Sequence, residues 1–116
     1  MIILAPWLVD IITFGFARAI TLFPFVFLTQ SSDKANTQLI NHERIHLRQQ
    51  LELFIFPFYL LYLGEYIVHR LQGKSHYAAY RTISFEREAY DHEQQLNYLT
   101  HRPTFAFRKY FLMSDD

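Results

Sequence analysis

Apolar side chains fall in blocks along the chain, and their spacing sets the expected elements. Residues 2–28 are almost continuously apolar, broken by Asp10 and Arg18. The stretch up to about Ala19 predicts an apolar N-terminal helix, and Ile20 to Leu28 predicts one short strand or hairpin. Thr21 to Phe27 alternates incompletely around Pro24, a residue that belongs on edge strands or bulges. A polar loop, Thr29 to Asn36, leads into a run from Gln38 to Leu53 without Gly or Pro. Leu39, Ile40, Leu47 and Leu51 give that run an apolar side, and Thr37 is the candidate N-cap, so a helix is predicted over 38–52. The apolar segment 53–71 predicts a second helix, with Pro57 kinking the junction or ending the first helix at Phe56. After a linker at Gln72–Ser75, a third helix is predicted over about 84–100, packing through Phe85, Ala89, His92, Leu96 and Leu99. The fold class is therefore α+β, mostly α, in one domain over 1–116, made of the apolar segment 1–19, a core over 20–100 and a C-terminal tail over 101–116.

Chemistry enters at His42-Glu43-Arg44-Ile45-His46, an H-E-x-x-H pattern. Residues i and i+4 share a helical face, so His42 and His46 can offer two imidazoles to one metal ion. Glu43 lies beside that face, within reach of a metal-bound water. A third ligand is needed. Glu52, six residues after His46, points away from the His face because Gln49 stands where a helix-ending Gly would be required. The later helix offers Glu86 and Glu88, and the small Ala89 lets it lie close to its partner.

His42–His46 followed by Gln49-Gln50, with Glu86-Arg87-Glu88-Ala89-Tyr90 downstream, resembles a gluzincin metallopeptidase. It is similar in particular to the small zincin domains of bacterial secreted toxins, which read H-E-x-x-H-x-x-Q-Q and carry a strand before the active-site helix. The resemblance covers roughly residues 19 to 100. It implies a minimal zincin-like core in which His42, His46 and Glu86 hold Zn²⁺ and Glu43 is the general base for hydrolysis of a peptide or protein substrate. Glu86 and Ala89 match the E-x-x-A of the family. Tyr90 stands where the family has an Asp that orients a His ligand, a role open to Asp91, Glu88 or a backbone carbonyl. His76, Tyr77, Tyr80 and Arg81 are candidates for stabilising an oxyanion.

The remaining polar residues read as ordinary. Gln49 and Gln50 can line the cleft but fit an ordinary polar helix face better, and His69, His92 and His101 are not expected as ligands, although His92 follows Glu88 at i+4 and can hydrogen-bond to it. With no Cys, thiolate ligands and disulfides are excluded, and zero net charge gives no sign of a nucleic-acid partner. Aromatic content of 18% and the two apolar blocks point to membrane association, with a cytoplasmic protein as the alternative. A single crossing at Leu53–Val68 is incompatible with Glu86 as a ligand. It would separate Glu86 from His46 by a layer about 30 Å thick, against metal–ligand bonds of about 2 Å. The expected mode is monotopic or partly embedded. The competing function is an inactive, zincin-like subunit attached to a partner membrane protein.

Overall fold

A computed structural model describes residues 2–13, 15 and 17–111. It is α+β and mostly helical, with one small sheet. β1 (Ile2–Leu4) opens the chain, followed by α1 (Pro6–Thr13). The expected single helix up to Ala19 is thus corrected to a strand and a short helix. Pro6 disfavours helix at Ala5 and is itself suited to a first helical position. The Gly15 amide, in a positive-φ residue, bonds back to the Asp10 carbonyl at 3.1 Å and closes the helix. β2 (Ala19–Leu22) and β3 (Phe25–Leu28) form the hairpin, and Pro24 lies in its turn rather than within a strand. β3 is central, antiparallel to β2 and parallel to β1, so β2 is an edge strand.

α2 (Thr37–Glu52) is the helix expected from the motif. Its cap is Asn36 rather than Thr37: the Asn36 side chain accepts from the Leu39 amide at 3.1 Å. Leu39, Ile40 and Leu47 pack against Ala19, Val26 and Leu28 of the sheet, as the periodicity requires, whereas Leu51 is exposed. α3 (Phe56–Leu71) begins with Pro57 in its first turn, and the break at Leu53–Ile55 turns the chain through 113°. Pro57 therefore starts a helix and does not kink one. Among the described residues no single helix is long and apolar enough to cross a membrane.

α4 (His76–Arg81) leads into α5 (Ser84–His92), and a short α6 (Tyr98–His101) follows. The expected helix over 84–100 is interrupted, leaving Leu96 exposed in the connection. Asn41 of α2 supplies the reason. Its Nδ2 donates to the carbonyls of His92, Glu93 and Gln95 at 3.3, 2.8 and 3.0 Å, satisfying groups that a continuing helix would use internally. Ala89 is fully buried against Ile45, so α5 does lie close to α2.

Residues beyond α6 pack on this frame. Phe107 joins Phe58, Ile83 and Phe85 in one apolar cluster. Arg102 is buried between two carboxylates, bonding Glu52 of α2 at 2.8 and 2.9 Å and Glu88 of α5 through Nε and Nη2. Removing one partner of such a cluster leaves buried charge uncompensated. Arg102→Met is expected to destabilise the fold by about 3–5 kcal/mol, measured by urea unfolding, with much of the loss recovered when Glu52→Gln and Glu88→Gln are added.

Candidate metal centre

The α2 face that carries the motif is buried. His42, Glu43, His46, Gln49 and Gln50 are all nearly inaccessible, against α5 on one side and β2 on the other. Glu86 of α5 points between the two imidazoles. His42 Nε2, His46 Nε2 and Glu86 Oε1 form a nearly equilateral triangle with sides of 3.1, 3.1 and 3.2 Å. Among the described residues these three form the group of His and carboxylate side chains able to share a cation.

The outer hydrogen bonds decide what this triangle is. His42 Nδ1 meets Glu93 Oε1 at 2.9 Å, and His46 Nδ1 meets Gln49 Oε1 at 2.8 Å. Both partners accept, so both Nδ1 atoms carry hydrogen. The Gln49 amide is oriented unambiguously, because its Nε2 donates to Phe85 O at 3.0 Å and Glu88 Oε1 at 2.9 Å. In neutral imidazoles the two Nε2 atoms then present lone pairs to each other and to a carboxylate oxygen. Three converging lone pairs repel unless a cation or protons lie between them. A tetrahedral ion with bonds of about 2.0 Å has ligand–ligand edges of about 3.3 Å, close to the observed triangle. The donor set, two imidazoles and one carboxylate, leaves a fourth tetrahedral position open.

Electrostatics agree with that geometry. Burial opposes protonation of His42, but hydrogen bonds to Glu86 and Glu93 outweigh it and push its pKa up to about 10. His46 is raised too, burial being overcome by the Glu86 charge. Burial alone would raise Glu86, yet the charges and hydrogen bonds of His46 and His42 hold it well below the ordinary carboxylate range. Glu43 is raised, chiefly by burial, against the opposing pull of both imidazoles. Its Oε2 is buried with no hydrogen-bond partner among the described residues, and Glu43 lines a cavity of about 420 Å³ with His42, His46 and Glu86.

The other candidates sort clearly. Glu88 stays out of the triangle, bonded to Gln49, Arg102 and Tyr98, the last at 2.7 Å. Glu52 is likewise directed to Arg102. Tyr90 packs its ring edge-on against His42, with centroids 4.5 Å apart, and the hydrogen bond to His42 comes from Glu93. Asp91 instead accepts from Tyr110, and His92 stacks on Tyr98 and meets Gln95 rather than bonding Glu88. Glu93 was missed in the sequence. Its signal is the seven-residue step from Glu86, two turns along one helical face.

Gln49 and Gln50 correct the reading of a solvated face. Gln49 orients His46, while Gln50 pairs with the outer edge of the hairpin, accepting from Phe23 N and donating to Thr21 O, both at 2.8 Å. Of the expected oxyanion candidates, His76 and Tyr80 line the cavity, whereas Tyr77 is exposed and Arg81 lies over the Tyr90 ring. Tyr62, unmarked in the sequence, lines the cavity and donates to Glu86 Oε2 at 2.6 Å. No known family model, curated protein or solved structure matches this chain.

A divalent ion binding here displaces the protons held on the two Nε2 atoms. With the His42 pKa pushed up to about 10 and His46 raised, binding at pH 7 is expected to release protons, and affinity to rise with pH. Calorimetry in buffers of different ionisation enthalpy checks this. Gln49→Leu and Glu93→Ala, which free the outer nitrogens, should each weaken binding by about 10–100-fold.

Proposed function

We propose that this protein is a zinc-dependent metallopeptidase of zincin-like core, with His42, His46 and Glu86 as ligands and Glu43 as general base. The observation that supports it is the convergence of two pinned imidazoles and Glu86 beside a buried Glu43 oxygen that has no hydrogen-bond partner among the described residues. Zinc in such a site lowers the pKa of a water at its open position to about 7 and polarises a carbonyl.

The residues of the chain supply the rest. Glu43 accepts a proton from the attacking water and delivers it to the leaving amine. Its raised pKa suits both roles, since a base poised nearer neutrality gives the proton up again. Tyr62 occupies Glu86 Oε2, which leaves Oε1, the oxygen facing both imidazoles, as the one that would hold an ion. Tyr80, a cavity-lining phenol whose hydroxyl meets that of Tyr90 at 2.9 Å, is our candidate donor to an oxyanion. β2, an edge strand lining the same cavity, offers backbone groups to an extended polypeptide beside the place where Gln50 already pairs with it.

Elemental analysis of the purified protein should find one zinc per chain, and Glu86→Ala should abolish stoichiometric binding. Glu43→Gln should keep the zinc and lower peptide hydrolysis by about 10²–10⁴-fold, read with a fluorogenic peptide library. Zinc present without any Glu43-dependent hydrolysis would support an inactive accessory subunit instead.

A further inference from the structure

α3 is built inside out for a helix in water. Phe56, Leu60, Leu63, Ile67 and Leu71 follow one another at three- and four-residue steps, so they form one stripe along the whole helix. All five are exposed, by 46 to 83%. Apart from Arg70, exposed beside the stripe in the last turn, where its Nη1 donates to Lys74 O at 3.1 Å, the polar side chains that make hydrogen bonds from α3 take the opposite face. Glu65 accepts from Ser84 N and Oγ at 2.9 and 2.6 Å, Tyr62 bonds Glu86, Tyr66 bonds His76 at 2.6 Å, and His69 meets Ala79 O at 3.1 Å. A helix facing water turns its apolar side inward. One facing hydrocarbon keeps its ionisable groups on the protein side and its apolar groups outward, which is the arrangement found here except at Arg70, whose place in the last turn lets a long basic side chain reach the headgroup level.

Two other elements share this character. The tip between α2 and α3 exposes Phe54, and α1 exposes Trp7 and Ile11. α1 and α3 flank the cavity of the metal centre, where Ile12 and Leu63 both line the cavity and are exposed on the outer surface. The rim of the cavity is thus continuous with the apolar stripe. A helix of 16 residues is about 24 Å long, shorter than a bilayer core of about 30 Å, which suits a helix lying in one leaflet.

We infer that the outward stripe of α3, with Trp7 and Ile11 of α1, seats this protein in one leaflet of a lipid bilayer, with the cavity of the metal centre opening towards the acyl chains. The lipid contact stands apart from the peptidase reading. Resting on that reading, the substrate is a polypeptide segment with apolar side chains held at or in the bilayer.

The experiment uses the whole chain, zinc-loaded and chelator-treated, with phosphatidylcholine vesicles. Trp7 is the single tryptophan, so its emission reports directly on α1. Its spectrum should shift to the blue and be quenched by lipids brominated along the acyl chains, and the protein should float with the vesicles whether or not zinc is present. Leu60→Gln and Ile67→Gln, at exposed positions that leave the interior untouched, should each lower vesicle partitioning by about tenfold, with unchanged circular dichroism. A monomer that ignores the vesicles overturns the inference. So does a lipid-free dimer abolished by the same substitutions, which would make a second copy the occupant. A strict requirement for anionic lipid also overturns it, because the seat would then be electrostatic. Loss of peptide hydrolysis with vesicle binding intact would overturn only the substrate assignment.

Discussion

The fold is organised around three converging lone pairs, which repel unless a cation or protons lie between them. Two imidazoles and a carboxylate converge to 3.1–3.2 Å, and each imidazole is pinned from behind so that neither can rotate its lone pair away. The pins come from different places: Gln49 from the next turn of the same helix, Glu93 from the end of α5. Closing the triangle therefore fixes the rotation of α2 and the distance to α5 together. Ala89, fully buried against Ile45, permits the close approach, and Asn41 ends α5 where Glu93 can reach back. A site whose ligands are oriented by independent hydrogen bonds loses little entropy when an ion arrives.

The centre is also wired to the structural interior. Gln49 accepts from His46 and donates to Glu88, and Glu88 is held by Arg102, which grips Glu52 at the far end of α2. One amide thus joins the histidine-bearing face of α2 to a buried ion cluster that anchors the C-terminal segment. This explains why two glutamates only two residues apart have separate jobs. Successive helical positions differ by about 100°, so Glu86 faces His42 and His46 while Glu88 faces the arginine.

Much of this was legible in the residues, and what was not has physical causes. The i, i+4 spacing of His42 and His46 is a local property of any helix, so their shared face followed directly. The failure of Glu52 to reach that face sent the third ligand to Glu86 or Glu88, and the resemblance to the E-x-x-A pattern singled out Glu86. Gln49 and Gln50 were misread because a polar helical residue looks the same whether it meets water or a buried acceptor. Their partners, Glu88 and the Thr21 carbonyl, are distant in sequence. The end of α5 was hidden for the same reason: Asn41, not any residue of α5, takes its carbonyls. The split of the N-terminal segment into β1 and α1 was signalled by Pro6, but an unbroken apolar run masked it. A strand paired in parallel to β3 depends on a partner more than twenty residues away.

The sharp turn between α2 and α3 ties the site to the outer surface. Continued straight, α2 would carry Tyr62 about 24 Å along the axis from His46, and no tyrosine side chain could return to the site. The 113° turn brings the Tyr62 hydroxyl to 2.6 Å from Glu86. The turn is made by Phe54 and Ile55 at φ of 58° and 69°, conformations unfavourable for residues with a Cβ and especially for a β-branched one. A glycine would relieve that strain, but it would remove an aromatic ring from the tip. Phe54 is 86% exposed, so that ring contributes nothing to the interior. Strain retained to hold α3 over the site, at a tip whose apolar side chain faces outward, fits a molecule whose stability is completed by what lies against that surface.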